Sequence, residues 1–539
     1  MMRAKRLRLA WLGAAVVAAA GLVTGPAAGV AAADTCQNWA GGQPANPAGP
    51  QVVNTLTGIA AVAQCDVWAV GYTQAPNIAG SNRALIEHWT NGSWAVTPAP
   101  PLTSDARLSG VSAASASNVW AVGYTTDATT NLARTLILHW DGTAWTRQPS
   151  PTPAGDNGLL LGVDVLSAND VWAVGQSGNG PGEVPLALHW DGSNWIQKTV
   201  PPPADGTHQV LTAVSGATGS DVWALGSTFG GSSVPVLYHW DGSAWAPRTL
   251  PAPAQAQISG IAAVSANSVW VAGSQPNSSG NSQTLIMHFD GSGWSQAQVP
   301  NPGGSGFTNG LGGMASSSPS DVWAAGSYQE GSGGVIVPFV LHYDGSTWAA
   351  ANLPGPGGGD NNPVGSVAVS SPGQAWVAGA FIDNSQTYAA PVPAVPDVTG
   401  LSPDTAAYTL RFYGLAGPSG PLHHTTNCPA SSSGQIVGSD LAPGTREPFG
   451  TPVGLTVCDL ATVPNVVGLD DGSAQSAITA AGLRVGSVST TRSCTVPAGN
   501  VISQSPHAGT HVAGNTAVSL TESAGRGTGG VSPSFCTAP

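Results

Sequence analysis

Short apolar runs separated by turn residues recur along most of the chain, and two of these runs form a repeating motif. In LILHWDGTAW, at 136–145, an apolar run ends in His and an aromatic residue, and Trp follows six positions after the His. Related copies occur at 85–94, 186–195, 236–245, 285–294 and 340–348. Apolar runs on either side of Asp-Gly are typical of two antiparallel strands joined by a turn. Each copy therefore predicts a β-hairpin.

A second repeated unit precedes each hairpin and sets the period of the repeat. It is a run such as Asn118-Val-Trp-Ala-Val-Gly, with a small residue ten positions before the Trp. Its tryptophans recur every 47 to 53 residues, at Trp68, Trp120, Trp172, Trp223, Trp270, Trp323 and Trp376. Four antiparallel strands in each repeat are typical of a β-propeller, whose crowded innermost strands need small residues. A solenoid is the alternative, but it would not need them there. We therefore expect a mainly β fold with a seven-bladed β-propeller at 34–392.

The last copy of the repeat indicates how the ring closes. It has Trp376 and a third apolar run near Tyr388–Val392, but it lacks the hairpin and the fourth strand. The segment around Trp39 resembles the fourth-strand segment that begins at Trp145. We expect this N-terminal strand to complete the last blade, which would remove exposed sheet edges.

Composition narrows the range of partners. Charged residues make up 8% of the chain, and it contains 72 Gly and 44 Pro. This composition favours many short strands and turns over helices. The formal net charge is −13, so nucleic acid and anionic membrane surfaces are poor partners.

Residues 1–33 have the layout of a secretory signal peptide. Four basic residues precede an apolar run at 9–23, and three alanines follow at 31–33. A membrane anchor is the alternative, but the run is short for a span and contains two glycines. We expect cleavage after Ala33, which leaves a secreted chain without a membrane anchor.

Six cysteines in a secreted chain favour three disulfides. Proximity in sequence suggests the pairs Cys36–Cys65 and Cys428–Cys458, and Cys494–Cys536 then remain as the third pair, although the sequence alone does not fix their connectivity. A metal site is the alternative, but no Cys-x-x-Cys or matching His spacing supports it.

The spacing within the repeats suggests where a ligand would bind. The connections between strands 1 and 2 and between strands 3 and 4 have constant lengths, whereas the other two connections vary. In an up-and-down blade the variable connections share one face, and binding sites are usually built on such loops. The candidate residues on this face are Tyr72, Arg83, Tyr124 and Arg134. The alternative is that these loops only tolerate variation.

The recurring His, Asp and Trp side chains are better explained by structure than by chemistry. Equivalent His residues in different blades lie far apart, whereas the ligands of one metal ion all lie about 2 Å from it. We expect each imidazole to bond within its own hairpin. The recurring Asp should bond to turn backbone instead of forming the acid pair of a glycosidase, and most Trp should lie between blades. We expect no catalytic residue, cofactor or metal.

After residue 393 the pattern changes to two related units. The second contains Val463-Pro-Asn-Val-Val-Gly-Leu469, a helical stretch ending in Gly482-Leu483, and Gly499-Asn-Val-Ile-Ser-Gln-Ser-Pro-His-Ala-Gly509. The first begins with Val395-Pro-Asp-Val-Thr-Gly-Leu401 but has Ser439-Asp440 in place of Gln-Ser. Each unit predicts an initial strand, a short helix and two strands joined by a Pro-Gly turn.

These motifs closely resemble PASTA domains. We place two small α+β PASTA domains at 393–459 and 460–522, followed by a flexible tail at 523–539. PASTA domains are extracellular modules, often attached to cell-wall kinases and penicillin-binding proteins, and some bind peptidoglycan fragments. The resemblance implies wall binding, with a spacer role as the alternative.

These features predict a non-enzymatic binding protein that is secreted and associated with the bacterial cell wall. Its expected partners are peptidoglycan or another cell-wall glycan, or another surface protein. One alternative is an extracellular carbohydrate-active hydrolase or lyase with its catalytic site in the propeller; an acid pair or an Arg cluster on the variable-loop face would favour it. The other is a structural surface spacer, which a featureless face would favour.

Overall fold

The computed structural model is almost entirely β, as the sequence predicts. The predicted signal peptide, Cys36, Trp39, Cys536 and most of the predicted tail lie outside the residues that it describes. Across the described part of the chain, no helix combines the length and apolar character needed to cross a membrane. The described residues are 43–47, 53–74, 82–102, 105–151, 156–178, 183–202, 207–229, 233–331, 334–353, 363–381, 386–426, 428–445 and 447–525.

The described residues between 53 and 392, which we call the Trp-rich region, form antiparallel sheets whose strands follow one another in chain order. The first sheet contains β1 (Val53–Ala63), β2 (Asp66–Gln74), β3 (Asn82–Thr90) and β4 (Ser93–Val96). The second contains β5 (Ala106–Ser115), β6 (Asn118–Thr126), β7 (Ala133–Trp140) and β8 (Trp145–Gln148). The third contains β9 (Gly158–Ser167), β10 (Asp170–Ser177), β11 (Val184–Trp190) and β12 (Trp195–Lys198). The fourth contains β13 (His208–Thr218), β14 (Asp221–Phe229), β15 (Pro235–Trp240) and β16 (Trp245–Arg248).

The remaining sheets of this region continue the same order. The fifth contains β17 (Gln257–Ser265), β18 (Ser268–Pro276), β19 (Ser282–Phe289) and β20 (Trp294–Gln296). The sixth contains β21 (Asn309–Ser318), β22 (Asp321–Glu330), β23 (Val335–Tyr343) and β24 (Trp348–Asn352). The last sheet has three strands within the described residues, β25 (Val364–Ser371), β26 (Gln374–Phe381) and β27 (Gln386–Val392).

The first strand of each sheet is the innermost, and these inner strands contact one another around a ring that closes between β25 and β1. A hydrogen bond from the backbone amide of Ile59 to Ser366 Oγ (3.2 Å) spans the closure. The inner strands are crowded, as expected from their small residues. A Cβ at Gly260 would lie 2.9 Å from the backbone of Gly313, and a Cβ at Gly313 would lie 2.7 Å from the carbonyl oxygen of Gly365. These repeated four-stranded sheets have the arrangement of a β-propeller.

The Trp of each second strand lies at the contact between neighbouring sheets. Trp120 is 1% exposed and stacks on His139 of its own sheet, with ring centroids 4.2 Å apart. It also contacts Trp190 and Trp195, from the hairpin of the next sheet, at 5.2 and 5.3 Å. This confirms that these tryptophans form the core between sheets. The same contact joins Trp68 to Trp140 and Trp145, Trp172 to Trp240 and Trp245, Trp223 to Phe289 and Trp294, Trp270 to Tyr343 and Trp348, and Trp376 to Trp89 and Trp94.

Trp323 has a different partner, because no such hairpin is present in the described part of the last sheet. Phe449, which comes from the first C-terminal module, meets Trp323 edge-on at 5.9 Å and lies 5.1 Å from His342. The amide of Phe449 also donates to the carbonyl oxygen of Gly373 (2.9 Å), and the amide of Gly373 donates to Asp321 Oδ1 (3.3 Å). Phe449 therefore supplies an aromatic ring where the other sheets use hairpin residues.

We expect Phe449→Ala to lower the free energy of unfolding of the Trp-rich region by about 1–3 kcal/mol, since it removes an aromatic contact and leaves a gap. Denaturant unfolding monitored by tryptophan fluorescence measures this loss. Tyr408→Ala is the matched control, because Tyr408 lies in the same module but is 66% exposed. Equal midpoints for the two variants would contradict the role of Phe449.

Residues 43–47 lie along the outer strand of the last sheet. The amide of Thr387, in β27, donates to Asn46 Oδ1 at 2.8 Å. In the fifth sheet the amide of Thr284 makes the same bond to Asn301 Oδ1 at 2.8 Å, and Asn301 follows the fourth strand of that sheet. The N-terminal segment therefore occupies the place that follows a fourth strand. The predicted strand itself lies outside the described residues and stays a prediction.

Glu87, in the first sheet, holds this N-terminal segment. It is fully buried at a position where the next two sheets carry Leu138 and Leu188. Its Oε2 accepts a hydrogen bond from the amide of Ala45 at 2.8 Å, and its Oε1 makes none within the described residues. Burial raises the pKa of Glu87 to about 8, against the opposing effect of the bond from Ala45.

The stability contributed by Glu87 should fall as the pH rises. In the unfolded chain the pKa of this carboxyl is 4.5, whereas the folded chain keeps the proton until about pH 8. The contribution is therefore complete below pH 4.5 and decreases between these values. The loss from about pH 5 to about pH 8 is up to about 4 kcal/mol. Glu87→Gln, which is always neutral, should remove this slope in denaturant unfolding at several pH values; identical slopes would contradict the assignment.

The C-terminal region contains two small α+β modules. The first contains α1 (Pro403–Phe412), β28 (Gly417–Pro418), β29 (His423–Thr425), a 3₁₀ turn (Ala430–Ser432), β30 (Ile436–Ser439), β31 (Pro452–Val453) and β32 (Leu455–Cys458). The second contains β33 (Leu460–Thr462), α2 (Asp471–Ala480), β34 (Arg484–Thr491), β35 (Val501–Ser505), β36 (His511–Ala513) and β37 (Ala517–Ser523).

The two modules share one sheet topology. In each, the last strand is central and pairs in parallel with a strand that follows the helix and antiparallel with the strand between them, in the orders β29-β32-β30 and β34-β37-β35. Ser402 and Asp470 cap the two helices by accepting hydrogen bonds from the amides of Thr405 and Ser473. The predicted initial strand of the second module is present but ends just before Val463, as β33, and it pairs with β36. At the start of the first module Val395 makes backbone hydrogen bonds to Thr445 and Gly444 without forming a strand. The three-stranded sheet of each module uses the strand that follows the helix.

The disulfide Cys428–Cys458 is confirmed, with Cα atoms 5.9 Å apart in the first module. Cys65 and Cys494 are also disulfide-bonded. Their predicted partners, Cys36 and Cys536, lie outside the described residues, so these two pairings stay predictions.

Candidate ligand-binding face

The four candidate residues lie at the end of the sheets where the longer loops are. Successive strands are antiparallel, so second strands end, and third strands begin, at the same face. Tyr72 and Tyr124 lie near the ends of β2 and β6, and Arg83 and Arg134 lie near the starts of β3 and β7. We call this surface the long-loop face.

The two tyrosines are brought together by a residue that the sequence interpretation did not select. The guanidinium carbon of Arg107 lies 4.4 Å from the centre of the Tyr72 ring, and Arg107 is paired with Tyr124 across β5 and β6. Arg107 Nε is buried and makes no hydrogen bond within the described residues. Burial raises the pKa of Tyr124, while Arg107 lowers it, and Asp105 and Tyr72 raise it further. Tyr72, Arg107 and Tyr124 therefore form one partly exposed cluster, which we call the Tyr-Arg-Tyr cluster.

Arg83 and Arg134 use their guanidinium groups on backbone instead. Arg83 Nη1 donates to the carbonyl oxygen of Asn82 at 3.3 Å, and Arg134 Nη1 donates to that of Asp156 at 3.2 Å. The two guanidinium groups therefore bond to backbone at strand ends beside the tyrosines. The strand order agrees with the prediction that all four residues lie on one face. Of the four, however, only Tyr72 and Tyr124 belong to the same cluster.

Sequence reasoning missed Arg107 because it searched the loops and not the strands. The constant spacing between Gly110 and Trp120 sets the register of the first two strands, and extending it would have placed Arg107 within one residue of Tyr124. A β-bulge between Leu108 and Gly110 shifts the register by one residue, so that Arg107 pairs directly with Tyr124.

Hydrogen bonds between neighbouring sheets hold the cluster in place. Asp105 Oδ1 accepts from the amide of Asn82 at 2.7 Å, which ties the start of β3 to the start of β5. In the next pair of sheets, Asn157 Oδ1 accepts from the amide of Ala133 at 2.8 Å. The strand ends around the cluster are thus joined to one another, which favours a preformed site.

The recurring His residues have a structural role. The predicted bond within the hairpin is present at His239, whose Nδ1 lies 3.4 Å from Arg248 Nη2, but the bond that recurs from sheet to sheet joins the His to the second strand. His88 Nε2 lies 2.7 Å from Asp66 Oδ1, which belongs to the start of the second strand. The Asn118 and Ser268 side chains take this place for His139 and His288. In both of these, burial lowers the pKa of the imidazole. The other pairs are His189–Asp170, His239–Asp221 and His342–Asp321.

The recurring Asp residues are occupied by turn backbone. Asp141 Oδ1 accepts from the Thr143 hydroxyl and from the amides of Thr143 and Ala144, at 2.7 to 3.0 Å. These bonds, led by the one from the hydroxyl, lower the pKa of Asp141 to about 2. A carboxylate held in this way is a poor general acid. The same turn recurs at Asp191, Asp241, Asp290 and Asp344.

Comparisons with known proteins identify one domain family and several similar structures. Residues 461–524 match the PASTA domain family, and no curated protein matches the chain. Among solved structures, YCF48 from Cyanidioschyzon merolae is similar, with 16% identity, 62% of this chain and 95% of that chain covered, and a TM-score of 0.40. A fungal lectin from Aleuria aurantia has 15% identity, covers 51% of this chain and 91% of its own, and has a TM-score of 0.33.

The C-terminal region is similar to the three-PASTA-domain region of a Ser/Thr kinase from Staphylococcus aureus. The identity is 23%, with 24% of this chain and 66% of that chain covered and a TM-score of 0.15. All these TM-scores are low, so the fold assignment of the Trp-rich region rests on the strand pairing described above. The chain carries a PASTA domain at residues 461–524, preceded by a Trp-rich region of repeated four-stranded sheets in a propeller arrangement.

Proposed function

We propose that this chain is a secreted, non-catalytic binding protein of the bacterial cell surface. In this proposal the Trp-rich region is a seven-bladed propeller whose last blade is completed by the N-terminal segment. The C-terminal modules attach the chain to peptidoglycan, and the long-loop face binds a second site on a cell-wall glycan.

The PASTA domain supports the wall-binding part of the proposal. Such domains are typical of extracellular regions and bind peptidoglycan-related ligands. The first C-terminal module has the same sheet topology as the PASTA domain that follows it, so the two modules form a tandem pair along the chain.

The Tyr-Arg-Tyr cluster is the observation that carries the proposal for the long-loop face. A guanidinium group binds carboxylates strongly, and tyrosine rings offer flat apolar surface to a sugar. The cluster is local to the first two sheets, because none of the equivalents of Tyr72 in the other five sheets is aromatic. They are Gln176, Ser227, Ser274, Ser327 and Ala380. A glycan that carries carboxyl groups fits this chemistry.

We expect removal of residues 460–539 to reduce co-sedimentation with purified peptidoglycan strongly, because only the weaker contact at the long-loop face and the first module remain. The shortened chain keeps Phe449, so the contact with Trp323 is retained. The intact chain should pellet with the polymer, and most of the shortened chain should stay in the supernatant. If both pellet equally, the wall contact lies elsewhere and the role proposed for the PASTA domain is wrong.

We expect Arg107→Met to weaken binding of soluble peptidoglycan fragments by about ten-fold, since it removes a charge-assisted hydrogen bond to the ligand. The affinity is measured by calorimetry on the chain without residues 460–539, so that the PASTA domain at 461–524 does not contribute. Arg147→Met is the matched control, because Arg147 is exposed on an outer strand of the same sheet. Equal affinities for the two variants would contradict ligand binding by the Tyr-Arg-Tyr cluster.

A further inference from the structure

The ring of inner strands encloses a cavity of about 640 Å³. Residues from the later half of every inner strand line it, together with Gly219 in the turn that follows β13 and Asp170 at the start of β10. The cavity therefore opens at the face of the short turns, opposite to the long-loop face.

One side chain in the wall of this cavity differs from its equivalents in charge. Asp164 is paired with Trp172 across β9 and β10 and is partly exposed to the cavity. The residues paired with the equivalent Trp in the other sheets are Ala60, Ser112, Ser215, Ala262, Ala315 and Ala368.

The two serines at this position join neighbouring inner strands by a hydrogen bond. Ser112 Oγ accepts a hydrogen bond from the amide of Val165, in the next inner strand, at 3.1 Å. Ser215 Oγ accepts one from the amide of Ala263 at 3.0 Å. Asp164 Oδ2 makes the same bond with the amide of Gly216 at 2.8 Å. An uncharged hydroxyl is therefore sufficient to join neighbouring inner strands.

Keeping Asp164 charged in this partly buried place costs free energy, although a neutral hydroxyl could make the same hydrogen bond to Gly216. Burial raises the pKa of Asp164 to about 6, although hydrogen bonds from Gly216, Val165 and Ser112 oppose the shift, and the nearby Asp170 raises it further. Asp170 already has a partner in His189, at 2.9 Å. Among the described residues that line the cavity, these two are acidic and none is Lys, Arg or His.

We propose that this cavity binds an aliphatic primary ammonium group, of the kind that a lysine side chain carries, with Asp164 as its counter-ion. Val163, Val165 and Met314, which are partly exposed, contribute to the rest of the wall and suit a methylene chain, which packs on apolar surface while its charged end finds a polar partner. A calcium ion fits less well because it takes about six to eight oxygen ligands. Within the described residues, no three His, Cys, Asp or Glu side chains are grouped to hold a metal.

Hexylamine is the probe for this site, and hexanol is its uncharged counterpart. Both are titrated calorimetrically into the intact chain and into the Asp164→Ser variant. The variant should lose about ten-fold or more in affinity for hexylamine, while binding of hexanol stays the same. Its melting temperature should not fall, because Ser makes the inter-strand bond at two equivalent positions.

Two further variants make the test specific. Glu183→Gln removes one negative charge at the other end of the same sheet and should leave hexylamine binding unchanged. Asp164→Asn keeps the shape of the side chain and serves the same comparison if the Ser variant does not fold. The proposal is overturned if the unaltered chain binds hexylamine no better than hexanol, or if neutralising Asp164 leaves hexylamine binding intact. It stands independently of wall binding by the C-terminal modules.

Discussion

The contact between a buried Trp of one sheet and an aromatic pair of the next is the interaction on which the ring depends. It recurs at nearly constant centroid distances, from Trp68 around to Trp376, which packs on Trp89 and Trp94 of the first sheet. Each of these Trp except Trp376, which is paired with Pro391, also contacts a His that an acid, amide or hydroxyl holds in place. One incomplete hairpin would leave Trp323 exposed on one side. Phe449 covers that side, so the first C-terminal module contributes to the stability of the propeller.

The repeat made most of the fold predictable from the sequence. Constant spacing from small residue to Trp and from His to Trp fixed the strand pairing, and the Asp-Gly turns located the hairpins. What escaped prediction came from contacts between distant segments. The partner of Trp323 lies in another module, the partner of Glu87 lies in the N-terminal segment, and Arg107 meets Tyr72 across two sheets. No local pattern encodes such contacts, and the site residues chosen from loop spacing alone, Arg83 and Arg134, proved to bond to backbone.

At two positions a charged residue replaces the uncharged residue of the other repeats, and the two charges have opposite sign. The Tyr-Arg-Tyr cluster places a cation at the long-loop face of an acidic chain, while Asp164 places an anion in the central cavity at the other end. Each stands where equivalent positions are small or neutral, so neither is required by the propeller architecture. A chain anchored to the wall by its C-terminal modules would present both openings to its surroundings.

The central claim is that the chain binds peptidoglycan without cleaving it. The most direct test incubates the intact chain with purified peptidoglycan and follows both the bound fraction and the release of soluble sugar from the same sample. Saturable retention with no release above that of polymer alone is the predicted result. Release of reducing sugar that grows with time and protein concentration would contradict the account and would make the Trp-rich region an enzyme.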